Sequence, residues 1–137
     1  MTSCDFNPAN GPFSALAWIK GGLPGQVILS QNNSVNWLSV NPLDGTLMTE
    51  LKQEQDSSAL LSQTVITDSD WHLVCFVWDG NSRILYVDEN AVAQDTQDNL
   101  SSSEGSLLIG TGNNTETGTY WTGLIDDVRI YDRVIIP

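Results

Sequence analysis

Two kinds of side chain in this sequence have the type and spacing to do chemistry: clustered carboxylates and a single histidine. Glu50, Glu54 and Asp56 lie within a short span, and Asp126 and Asp127 are adjacent. Cleaving a glycosidic bond needs two carboxyl groups held at a fixed separation, one as nucleophile or base and the other as general acid. Glu54 and Asp56 fall in the polar run Lys52 to Ser58 (KQEQDSS), which reads as a surface loop or one helical turn, so no rigid element fixes their distance. Neighbouring residues of a strand point to opposite faces, which separates Asp126 from Asp127. Both are instead expected to tie down neighbouring turns by accepting backbone N–H bonds, with Asp127 the more buried of the two. Beside His72, nothing supplies the further ligands of a zinc site or the nucleophile of a Ser-His-Asp arrangement. No catalytic residue is assigned, and the sequence reads as a non-enzyme.

Aromatic rings offer a second chemistry, because a ring packs on the apolar face of a pyranose much as it packs in a core. Trp18, Trp71 and Trp78 sit within apolar patterns and are expected in the core. Trp37 and Tyr120 remain as the candidate ligand-binding aromatics, against the plainer reading that each is packed.

The elements that must hold these residues are short strands. Trp71 to Asp88 (WHLVCFVWDGNSRILYVD) reads as a hairpin around the turn Asp79-Gly80-Asn81. Val74, Phe76 and Trp78 fall on one face and Leu73, Cys75 and Val77 on the other, so this strand is covered from both sides. A hairpin this apolar needs a second sheet against it. Further strands are expected at Phe13–Ile19, Gln26–Ser30, Val35–Val40, Thr46–Leu51, Gln63–Thr67, Ala91–Thr96, Leu107–Ile109 and within Tyr120–Tyr131. Turn residues stand at every gap, and no segment holds a 3.6-residue apolar period. This is the pattern of an all-β, two-sheet antiparallel sandwich or barrel.

Composition bounds the partners. The 137 residues are 40% hydrophobic and 16% charged, enough apolar surface for one domain with a sizeable core. A net charge of −12 argues against nucleic acid and against anionic membrane surfaces. The longest apolar run, Leu73 to Trp78, is far too short to span a bilayer. The N-terminus shows neither a basic start nor an apolar h-region, so no signal peptide is expected in this chain. Cys4 and Cys75 allow one disulfide at most; Cys75, in mid-strand, also reads as a small buried hydrophobe. Asn32, Asn99 and Asn113 begin glycosylation sequons, which matter only in a secreted eukaryotic setting.

Three blocks carry a family resemblance: Phe13-Ser-Ala-Leu-Ala-Trp18-Ile-Lys20; Trp71-His72 through Trp78-Asp79-Gly80 to Leu85-Tyr86-Val87-Asp88; and Leu108-Ile109-Gly110 with Trp121-Thr-Gly123-Leu-Ile125-Asp126-Asp127-Val128-Arg129-Ile130-Tyr131. Together they resemble the laminin-G-like members of the concanavalin A-like jelly-roll superfamily. The resemblance implies one β-sandwich domain over residues 1–137, in which a terminal strand of the usual fold is not evident. It also implies a structural His72 and a buried Trp121. The glucan-cleaving relatives carry a Glu-x-Asp-x-Glu-type strand that this chain lacks. In the pentraxin cousins, rim loops bind calcium; the corresponding stretch here offers Asn113, Asn114 and Glu116 as metal ligands, against the plainer reading of a solvated loop.

The function so implied is a non-catalytic recognition module, a lectin-like carbohydrate-binding or adhesion domain with a glycan or glycoprotein partner. The alternative is a structural or assembly domain of a surface, fibre or particle protein. An extracellular or cell-surface setting follows if the chain is part of a secreted protein. If the final strand is left at an open edge beside the apolar tail Val134-Ile135-Ile136, two copies are expected to pair as a homodimer.

Overall fold

The computed structural model of the chain describes residues 9, 11–32, 35–52, 58–97, 99–100, 105–112, 118–135 and 137. Among these residues ten strands appear: β1 (Phe13–Gly21), β2 (Val27–Gln31), β3 (Asn36–Val40), β4 (Thr46–Thr49), β5 (Leu60–Val65), β6 (His72–Trp78), β7 (Ser82–Val87), β8 (Asn90–Thr96), β9 (Leu107–Ile109) and β10 (Gly123–Tyr131). They form two five-stranded sheets, ordered β10-β1-β6-β7-β8 and β5-β4-β3-β2-β9, and every pairing is antiparallel. The expected two-sheet sandwich is therefore the observed one.

Alternation along β1 and β6 fixes the core. Phe13, Ala15, Ala17 and Ile19 face the other sheet, as do Val74, Phe76 and Trp78. The Phe13 ring lies 5.3 Å from that of Trp37 and 5.6 Å from that of Phe76, both tilted, and so ties the two sheets together. The sequence pattern also places Ile84 and Tyr86 of the return strand between the sheets or under their loops; they instead join Leu16, Cys75 and Val77 in a second apolar cluster on the outer face of the first sheet. Cys75 is a free, buried thiol pushed up to about 12 by burial, and Cys4 lies outside the described residues.

The hairpin turns follow their residue types. Asp79 Oδ1 accepts the N–H groups of Asn81 (2.9 Å) and Ser82 (2.7 Å). Asp88 and Glu89, at φ +52° and +73°, make the two-residue connection that pairs Val87 with Asn90. β5 begins earlier than Gln63, because Leu60 and Leu61 pair with Thr49 and Met48 of β4.

Arg83 is wholly buried on β7, directly across from Asp95 of β8. Its Nε donates to Asp95 Oδ1 (2.8 Å), and its Nη1 donates to the carbonyls of Leu51 (2.7 Å) and Ser58 (3.2 Å). One guanidinium thus clamps both ends of the 52–58 connection. At the end of the chain, Ser14 Oγ donates to the Arg133 carbonyl and accepts the Ile135 N–H, each at 2.8 Å. The segment beyond β10, expected as an uncovered tail, is therefore tied back to β1.

Candidate functional site

A cleft of about 340 Å³ opens on the outer face of the first sheet, lined by Trp18, Trp71, Asp126 and Asp127. Strand parity puts these residues together. Trp18 alternates with Ala17 and Ile19, both turned inward, and so must point out. It stands opposite Leu73 of β6 on one side and Asp126 of β10 on the other. Trp71, two residues before Leu73, shares that face and lies diagonally from Trp18. Trp18 is 39% and Trp71 42% exposed, which corrects the expectation that both are core. Residue type suggested burial; the period-two pattern of β1 decided otherwise.

The two carboxylates reach the cleft through a β-bulge. Leu16 pairs with Arg129 and Trp18 with Asp126, so Ala17 alone faces both Asp127 and Val128. Asp127 takes the extra position at φ +51°, a left-handed conformation that aspartate tolerates better than most residues. The inserted residue lets Ile125, Val128 and Ile130 all pack against the core. It also turns Asp126 and Asp127 to the same side, so neither is buried and the expected opposite orientation does not hold. Asp126 Oδ1 accepts the Asp127 N–H at 2.8 Å and fixes the bulge. Asp127 Oδ1 accepts from Arg129 Nε at 2.8 Å, and this bond, with that to the Tyr131 hydroxyl, raises the guanidinium above its ordinary range.

An ion triad anchors the approach to Trp71. His72 Nδ1 lies 2.6 Å from Asp88 Oδ2, and its Nε2 lies 2.7 Å from Asp68 Oδ1. An ionised carboxylate only accepts, so with both aspartates ionised each ring nitrogen donates and the pairing favours the imidazolium. Burial by itself lowers the His72 pKa, but the hydrogen bonds to Asp88 and Asp68 outweigh it and the net shift is upward from 6.5. Asp68 is held below its usual 3.8, first by His72 and then by the Asp70 N–H. Asp88 Oδ1 also accepts the Leu73 N–H at 3.0 Å. The chain entering β6 is thereby held on both sides of Trp71, in keeping with a structural His72.

The other candidate residues lie elsewhere. Trp37 is 0% exposed, and its Nε1 donates to Gln31 Oε1 at 3.3 Å, so its ring has no face to offer a ligand. The cause is parity again: Trp37 faces Phe13 across the sandwich. Tyr120 is 52% exposed but is not among the residues lining the cleft. Trp121 packs against the core but is half-buried rather than buried as the resemblance implies, and its Nε1 donates to the Leu124 carbonyl at 3.2 Å. Asn113, Asn114 and Glu116 lie outside the described residues, as do Glu54 and Asp56. Among the described residues no group of three or more His, Cys, Asp or Glu could hold a metal ion.

Sequence reasoning missed the cleft, although two signals for it were present. One was the outward parity of Trp18; the other was the spacing Ile125-x-x-Val128-x-Ile130, which breaks the period of two and marks a bulge.

Comparison with known proteins places this architecture. The binding domain of Paraclostridial Mosquitocidal Protein 1 superposes with a TM-score of 0.68 at 12% identity, over 96% of this chain and 36% of that one. Domains LG4-5 of the mouse laminin alpha1 chain give 0.67 at 11% identity, over 94% and 40%. This chain thus spans well under half the length of either structure. Domain 4 of the extracellular arabinanase AbnA from Geobacillus stearothermophilus, in complex with arabinotriose, gives 0.62 at 18% identity, over 93% and 64%. Among curated protein sequences none matches this chain. A laminin-G family model of the concanavalin A-like lectin/glucanases superfamily matches residues 2–137, and the chain belongs to that family.

Proposed function

We propose that this domain is a non-catalytic carbohydrate-recognition module whose ligand seat is the cleft of Trp18, Trp71, Asp126 and Asp127. The observation that carries the reading is the pair of half-exposed indoles on one sheet face, beside two carboxylates, in an otherwise regular sandwich. Indole faces stack on the C–H face of a sugar, while carboxylates accept its hydroxyls. The bound arabinotriose of the AbnA domain supports a sugar as the kind of ligand this fold can hold. Asp126 spends Oδ1 on the bulge amide and Asp127 spends Oδ1 on Arg129, and the two are neighbours on one strand. That arrangement favours binding over the two-sided attack of a glycosidase.

A glycan array with the wild type, Trp18→Ala and Trp71→Ala tests the reading. The wild type should bind a defined glycan, and each variant should weaken that binding about tenfold or more, as loss of a central aromatic anchor does. Undiminished binding by both variants would place the seat elsewhere.

A second reading, assembly of two copies, has the place of β10 in its favour, since it is the end strand of its sheet among the described residues. Light scattering that gives a monomer well above micromolar concentration removes it.

A further inference from the structure

We propose that the cleft selects a sugar bearing an amine, held as its ammonium between the two indoles and the carboxylates of Asp126 and Asp127; this rests on the carbohydrate reading above. Both polar side chains lining the cleft are carboxylates, and no basic residue lines it. The nearest cation in the hydrogen-bond network is Arg129, whose Nε is engaged by Asp127. Lys20, two residues beyond Trp18, lies further along, across from Leu124. Each carboxylate spends Oδ1 within the protein, on the Asp127 amide or the Arg129 guanidinium, and keeps Oδ2 for a ligand.

An electron-rich indole face attracts an ammonium group, and a carboxylate receives it in a charge-assisted hydrogen bond. A neutral hydroxyl gains only the weaker, uncharged bond. An acidic sugar meets carboxylates and a chain of net charge −12, which repels it at long range. Shape admits a pyranose of any of these classes; charge chooses among them.

Three tetrasaccharides make the test, because they share one β-1,4-linked backbone and differ only at C2. These are glucosamine (amine), N-acetylglucosamine (acetamide) and glucose (hydroxyl) oligomers. Titration by calorimetry at about pH 5 keeps the amine charged, since the electron-withdrawing oxygens around it hold a sugar amine below the roughly 7.7–8.0 of an α-amino group. The glucosamine oligomer should bind about tenfold tighter than either of the others, with a preference that fades as salt rises. Asp126→Asn keeps the oxygen that accepts the Asp127 N–H, so the bulge survives. In that variant the preference should shrink severalfold while the melting temperature holds.

Equal or weaker binding of the glucosamine oligomer overturns the inference. If a neutral or acidic glycan still binds in a Trp18-dependent way, the carbohydrate reading stands without it. Absence of any Trp18-dependent glycan binding on the array overturns both.

Discussion

Trp18 of β1 and Asp126 of β10 stand directly across from one another, and both turn to the outer face of the sheet. Half of the proposed seat is therefore a single cross-strand pair, the other half its diagonal partner Trp71 and the bulge residue Asp127. Register sets Trp18 and Asp126, the bulge sets Asp127, and the His72 hydrogen bonds beside Trp71 hold the chain that carries it.

The tryptophans should divide sharply in their contribution to stability. Trp78 is 5% exposed, and its Nε1 donates to the Gln97 carbonyl at 2.8 Å. Trp78→Ala should cost about 3–5 kcal/mol in chemical denaturation. Trp18→Ala and Trp71→Ala, which empty a half-exposed site, should cost about 1–2 kcal/mol each. Equal costs for all three would show that the outer indoles are structural.

The His72 triad should give stability a defined pH window. His72 has a folded pKa above its ordinary 6.5, so its contribution is complete below that value and is lost as pH rises through the raised one. Asp68, depressed from 3.8, contributes above that value and loses its share as pH falls through the lowered one. Thermal melts across pH should show both limbs. In His72→Gln the alkaline limb should flatten, and an unchanged alkaline limb would show that the imidazolium is not what holds the entry to β6.

Much of this fold was legible from period and turn chemistry. The ten strands, the two hairpin turns and the inward set Phe13, Val74, Phe76 and Trp78 all follow from alternation between turn residues. The cleft was harder to read because two cues competed there. Tryptophan in an apolar strand suggests core, yet the parity of Trp18 points outward. Trp37 misleads in the opposite sense: it stands in the sequence as a candidate for exposure, while the packing of Phe13 takes the ring inside. Asp127 could not be placed by counting alone, since a bulge shifts every later residue of the strand by one.

Gly22 should tolerate no side chain. Its φ of +83° lies in the left-handed region, and a Cβ there would run into the Trp121 ring. Gly22→Ala should cost about 1–3 kcal/mol and lower the melting temperature, through backbone strain and displacement of that indole. Full stability in the variant would mean that Trp121 moves aside freely and plays no part in closing the core beside β10.

Arg83 should behave as a buried clamp. Arg83→Ala leaves Asp95 unpaired and releases the carbonyls of Leu51 and Ser58, at a cost of about 3–5 kcal/mol. Hydrogen exchange should show the amides of β4 and β5 losing protection first. A loss spread evenly over both sheets would contradict the clamp.

The location of the ligand seat is tested most directly by following the five indole N–H signals by NMR during titration with a glycan that binds on the array. The account predicts large, saturable shifts for Trp18 and Trp71, with the buried Trp37 and Trp78 nearly still. Shifts confined to other indoles, or absent from Trp18 and Trp71 at saturation, would contradict it.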